Sequence, residues 1–90
     1  MARRTSHLSE GTLNCLGPKI RDFREERNWT QAALALQLQI VGWDIDLATL
    51  NRIEKQARTL TDFELLLFAR VLKKRLRDFE PATGDKPRPG

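Results

Sequence analysis

Between residues 16 and 79 the apolar positions recur three and four apart, the spacing that puts side chains on one face of a helix. Leu16, Ile20 and Phe23 follow this spacing, Pro18 suits a first turn, and Asn28 suits the left-handed residue that stops a helix. These signals predict a first helix over about 18–27. Thr30 is a good N-cap, and Ala33, Leu34 and Leu38 share a face of a second helix over Gln31 to Gln39. Ile40 to Ile45, with Gly42, reads as a connection. Asp46 then caps a short third helix, about 47–55, on which Leu50 and Ile53 repeat. Thr61-Asp62-Phe63-Glu64 has the form of a capping box and opens a fourth helix, about 62–73, striped by Leu65, Phe68, Ala69 and Leu72. Leu76 and Phe79 carry the stripe on, as either a fifth helix or an extension of the fourth.

No alternating segment bounded by turn residues occurs, so the expected class is all-α, a compact bundle of four to five helices. Residues 1–15 lack an apolar period, and 81–90 are half Pro and Gly. Both ends read as flexible tails around one domain over 16–80.

Composition narrows the chemistry. Cys15 and His7, the single residues of their types, provide neither a disulfide nor a metal site, and no catalytic pair has a frame to hold it. The expectation is a protein that is not an enzyme and has no metal, cofactor or small-molecule substrate. The longest apolar run is Leu65 to Ala69, far short of the roughly 20 residues of a membrane span, and Met1 to Glu10 lacks a signal-peptide core, so the expected location is cytoplasmic. The net charge of +4 is weak evidence for a nucleic-acid partner. Residues 17–80 hold twelve Lys and Arg against ten Asp and Glu, a balance of only +2.

The order of motifs is more informative. Ile20-Arg21-x-Phe23-Arg24-Glu25-x-Arg27 leads to Thr30-Gln31-x-x-Leu34-Ala35-x-x-Leu38. Thr49-Leu50-x-Arg52-Ile53-Glu54 and Arg58-x-Leu60-Thr61-Asp62-x-Glu64-Leu65-Leu66 follow. Together they resemble the phage-repressor-like helix-turn-helix family of Cro and xenobiotic-response-element type, in a branch with a longer connection before the recognition helix. The resemblance implies a transcriptional regulator of double-stranded DNA, with the third helix in the major groove and the second bracing it. Carried over position by position, Leu47, Ala48, Thr49, Asn51 and Arg52 face base edges. Gln31 and Arg58 contact phosphates, and Glu54 pairs with Arg24 inside the fold. Asn51 and Thr49 can hydrogen-bond bases, Arg52 can bond guanine or phosphate, and Leu47 or Ala48 can pack on a thymine methyl.

Three departures carry consequences. The connection is longer than the common turn, Leu47 replaces a frequent base-reading cation, and Gln56 stands where a Gly frequently ends the recognition helix, predicting a different exit turn. Residues 44–55 also hold Asp44, Asp46 and Glu54 against Arg52 and Lys55, an unfavourable sign beside phosphate. Two uses of the fold therefore stay open. One is DNA recognition by a homodimer, or by a chain acting with a partner protein such as the toxin of a toxin-antitoxin pair. The other is a protein-interaction module docking through Leu36, Trp43, Leu47 and Leu67. Structural roles compete elsewhere: Asp46 as a cap, Trp29 as core, Lys73, Lys74, Arg75 and Arg77 as a solvated helix end, and Arg3 and Arg4 as tail residues.

Overall fold

A computed structural model of the protein describes residues 12–80. Four α-helices follow in order: α1 Gly17–Glu26, α2 Gln31–Ile40, α3 Leu47–Glu54 and α4 Asp62–Leu72, with a 3-10 turn at Leu76–Phe79. Among the described residues there is no strand. No helix there is long and apolar enough to cross a membrane, and no group of acidic, His or Cys residues could hold a metal. Of the expected tails, residues 1–11, with Arg3, Arg4 and His7, and all of 81–90 lie outside the described residues.

The starts of the helices follow their cap residues. The Thr30 Oγ1 accepts from the Ala33 N–H at 3.0 Å, and Asp46 Oδ1 accepts from the Thr49 N–H at 2.8 Å. Thr61 and Glu64 close a reciprocal capping box. Each pairing satisfies a backbone donor that the first turn leaves free, contributing on the order of 1 kcal/mol.

The four ends share one geometry. Asn28, Gly42, Gln56 and Lys73 all take positive φ. In each case the next N–H reaches back to close the turn, as Trp29 to Arg24, Trp43 to Leu38, Ala57 to Arg52 and Lys74 to Ala69. This is the Schellman closure, which pairs carbonyls a helix would otherwise leave open. The α3 exit is therefore the usual left-handed turn, despite Gln at its crossing point. Lys73, at φ 55°, also ends α4 and makes residues 76–79 a separate turn.

The core gathers one face from each helix: Ile20 and Phe23, Leu34, Ala35 and Leu38, Leu50 and Ile53, then Phe68, Ala69, Val71 and Leu72. Phe79 folds back on Phe23, ring centres 5.1 Å apart and edge to face, so the 3-10 turn closes the bundle. Ile45, in the connection, is buried, whereas Ile40 extends α2 by a residue and is exposed.

The α1 start is seated on the α3 end. A Cβ at Gly17 would collide with the backbone oxygen of Ile53 and stand 2.7 Å from that of Glu54. Asn14 reinforces this junction: its Nδ2 donates to the carbonyls of Ile53 at 3.0 Å and Arg58 at 2.8 Å, while its Oδ1 accepts from the N–H groups of Leu16 and Gly17. Leu13 N–H also bonds the Gln56 carbonyl at 2.7 Å. Leu13 and Asn14 are thus bonded to the helices, although they precede the expected domain edge at residue 16.

Gly17→Ala should cost about 1–3 kcal/mol, because backbone oxygens cannot yield as a flexible side chain would. Lys73→Gly should stabilise by about 1 kcal/mol, removing a left-handed penalty at an exposed position. Urea midpoints of the two variants, moving in opposite directions, check both.

Candidate nucleic-acid interface

Burial sorts the eight residues of α3 into two sides. Leu50, Ile53 and Glu54 are buried. Leu47, Ala48 and Arg52 are exposed, and Thr49 and Asn51 are half-buried. The five expected base readers are thus the residues the core leaves open. Thr49 is partly engaged already: its N–H bonds the Asp46 carboxyl at 2.8 Å, and its hydroxyl and N–H together hold that acid below its ordinary range.

Behind this open side lies a carboxylate hub. Glu54, its side chain 3% exposed, accepts from Arg24 Nε at 2.8 Å through Oε2 and from Arg24 Nη2 at 3.0 Å through Oε1. Gln31 Nε2 donates to the same Oε1 at 3.0 Å, and Arg24 Nη1 reaches the Trp29 carbonyl at 2.8 Å. One acid on α3 therefore ties α1, the α1–α2 turn and the first residue of α2 together. The bidentate fork fixes orientation as well as distance.

The hub also changes the charge on the α3 face. With Glu54 buried against Arg24, the exposed charges over 44–55 are Asp44 and Asp46 against Arg52 and Lys55, which balance. The net negative sign read from the sequence is absent from the surface.

Both expected phosphate contacts make internal bonds. Gln31 is half-buried and bonded to Glu54, with a second amide hydrogen remaining for an external acceptor. Arg58 forks onto Glu64, Nη1 to Oε1 at 2.9 Å and Nη2 to Oε2 at 3.0 Å, and Nη1 also meets the Thr59 carbonyl. That fork is the main reason the Glu64 carboxyl lies below its usual range, with burial opposing it and the Thr61 N–H adding to it. Arg58 is raised by the same bond.

Both tryptophans and one residue of the basic run make contacts inside the fold. Trp29 packs partly into the core beneath the Arg27 guanidinium, 4.7 Å from its ring centre. Trp43 meets Phe68 edge to face at 5.5 Å. Lys74 pairs with Glu26 at 3.2 Å and lies over Phe23, so part of the basic run is committed to α1. Of the four apolar residues considered for docking, Leu36 and Leu47 are exposed, while Trp43 and Leu67 lean on the core.

Sequence reading overlooked Asn14 and Gln39. Asn14 had a local signal, an Asn shortly before a helical Pro, of the kind that caps a helix start. Gln39 had none, since its amide donates to the Ile45 carbonyl at 2.9 Å across a loop whose path the sequence does not show.

Arg24→Met should cost about 3–5 kcal/mol, because it strands a buried carboxylate with Gln31 as its remaining side-chain donor. Glu64, with its folded pKa depressed, contributes stability that is complete above its unfolded value, about 4.3, and lost as pH falls through the folded value. Arg58→Met should flatten that acid limb in stability measurements below about pH 5.

The family model described as helix-turn-helix matches residues 20–79, which holds all four helix-closing turns and the Glu54 hub. No curated protein and no solved structure gives a significant match. The matched family is one of DNA-binding regulators and is not enzymatic. On that match over two thirds of its length, with the helix order and open α3 side just described, the chain belongs to the Cro/C1-type helix-turn-helix family.

Proposed function

We propose that the chain is a sequence-specific transcriptional regulator that lays α3 in the major groove of double-stranded DNA. The observation that carries this reading is the two-sided character of α3: Leu50, Ile53 and Glu54 are spent on the fold, and the five groups suited to base edges are left over. In this arrangement Asn51 and Arg52 read bases, Leu47 and Ala48 supply apolar contact, and Thr49 lends its remaining bonding capacity. Gln31 offers its second amide hydrogen, and the free N–H groups of the α2 start, to a phosphate. Arg58, beyond α3, meets another with the guanidinium donors that Glu64 leaves free. A homodimer would place two α3 helices on half-sites about one helical turn apart.

A second reading has one observation in its favour. Residues 31–43 contain no charge, and Leu36 and Ile40 stand exposed one turn apart on α2. Such a face suits a partner protein, and a regulator paired with a toxin would use both surfaces.

Duplexes selected from a random pool by the protein should bind with an affinity that falls with salt, since phosphate neutralisation releases counterions. Asn51→Ala with Arg52→Ala should lower discrimination, by about 1–3 kcal/mol for each base-edge hydrogen-bond pairing removed. Arg58→Met should weaken all sequences alike and reduce the salt slope by about one. Failure to select any duplex at low salt would overturn the reading, and identical behaviour of the two sets would overturn the division into readers and clamps.

A further inference from the structure

The connection between α2 and α3 is held at more points than its length suggests. Gly42, at φ 107°, turns the chain out of α2, and the Trp43 N–H closes on the Leu38 carbonyl at 2.9 Å. The Ile45 N–H then bonds the Trp43 carbonyl at 2.7 Å, a three-residue turn centred on Asp44. Two side chains anchor this strap to the core, Trp43 against Phe68 and Ile45 at 3% exposure. A third anchor acts from outside. Gln39, exposed on α2, donates its Nε2–H to the Ile45 carbonyl at 2.9 Å.

That carbonyl belongs to the last peptide before the α3 cap. Asp46 follows it, takes the Thr49 N–H on its side chain and accepts the Leu50 N–H on its carbonyl. Trp43 and Ile45 determine where the strap lies on the core. The plane of the Ile45–Asp46 peptide determines the direction in which the chain enters α3, and Gln39 holds that plane. The first α3 residues, Leu47 and Ala48, are the ones a major-groove helix brings to base edges. Gln31 and Arg58 lie outside this stretch, one before the strap and one after α3.

We propose that Gln39 is a positioning residue for base recognition: through the Ile45 carbonyl it sets the pose of the α3 N-terminal turn without touching DNA. The proposal rests on the DNA reading above. Its consequence is selective. Loss of the bond costs base discrimination, which depends on sub-ångström placement of side chains, and spares phosphate affinity, which depends on charges held elsewhere.

Gln39→Met keeps length, neutrality and helix propensity but removes the donor. Gln39→Lys restores a donor of sufficient reach. The measurement is the affinity ratio between a duplex selected from a random pool by the unaltered protein and a scrambled duplex of equal composition, at several salt concentrations. Gln39→Met should lower the ratio by roughly tenfold, the scale of one base contact, with scrambled-duplex affinity, salt slope and melting temperature unchanged. Gln39→Lys should recover the ratio, from which its added charge cancels. In the free protein, Gln39→Met should also speed amide exchange at Thr49 and Leu50 but not at Leu34. An unchanged ratio for Gln39→Met overturns this proposal alone, as does an equal loss on both duplexes, which would mark a general structural role. If the unaltered protein selects no duplex, the DNA reading and this proposal fall together.

Discussion

The Glu54 carboxylate is the point on which the arrangement of the first three helices depends. Removing a carboxylate and a guanidinium from water carries a large desolvation cost, and the attraction between them repays it only with good geometry and satisfied lone pairs. Here both oxygens are used, by Arg24 and by Gln31. Such a pair adds little net stability over a well-packed apolar substitute, but it penalises every arrangement in which one member is unmatched. Apolar packing of Leu50 and Ile53 tolerates sliding and rotation. A forked ion pair joining α1 to the last residue of α3, with a third donor from the first residue of α2, does not. The orientation of α3 is thereby specified by charge where its burial is specified by area.

This division explains which parts of the fold were legible in the sequence. Helix starts were readable because the capping side chain and the amide it satisfies lie three residues apart, as in Thr30 to Ala33, Asp46 to Thr49 and Thr61 to Glu64. Helix ends were less so. Asn28 and Gly42 belong to the types that enter left-handed backbone easily, whereas Gln56 and Lys73 do not. Their conformations follow from what comes next. At Gln56 the side chain donates to the Asn14 carbonyl at 3.0 Å, and the following Ala57 N–H closes the turn on Arg52. The absence of glycine therefore suggested a different exit, and tertiary bonding supplied the usual one.

The two sides of α3 were legible to the same degree and for the same reason. The spacing of Leu50 and Ile53 distinguishes the open side of α3 from the closed one. The sequence does not show that Glu54 leaves the surface charge count, or that Arg58 spends part of its guanidinium on Glu64, because both depend on partners brought together by folding. Asn14 and Gln39 were missed because each satisfies backbone carbonyls at a bend. Asn14 carries a signal for capping the helix start, but an amide side chain has no sequence signature for bonding carbonyls 6, 39 or 44 positions away.

On the proposed reading, these internal bonds set a limit on affinity. The exposed charges of residues 44–55 balance, so the α3 face itself attracts phosphate weakly. Among the described residues 44–64 the cations open to phosphate are Arg52, Lys55 and Arg58, and the last is already paired. Counterion release scales with the number of phosphates neutralised, so α3 and the turn after it supply few such contacts, and base recognition gains weight in proportion. Pre-organisation then carries unusual weight. Where charge holds a domain loosely to any duplex, the difference between one sequence and another depends on how rigidly the reading helix is presented. The Glu54 hub holds one end of that helix, and the strapped connection holds the other.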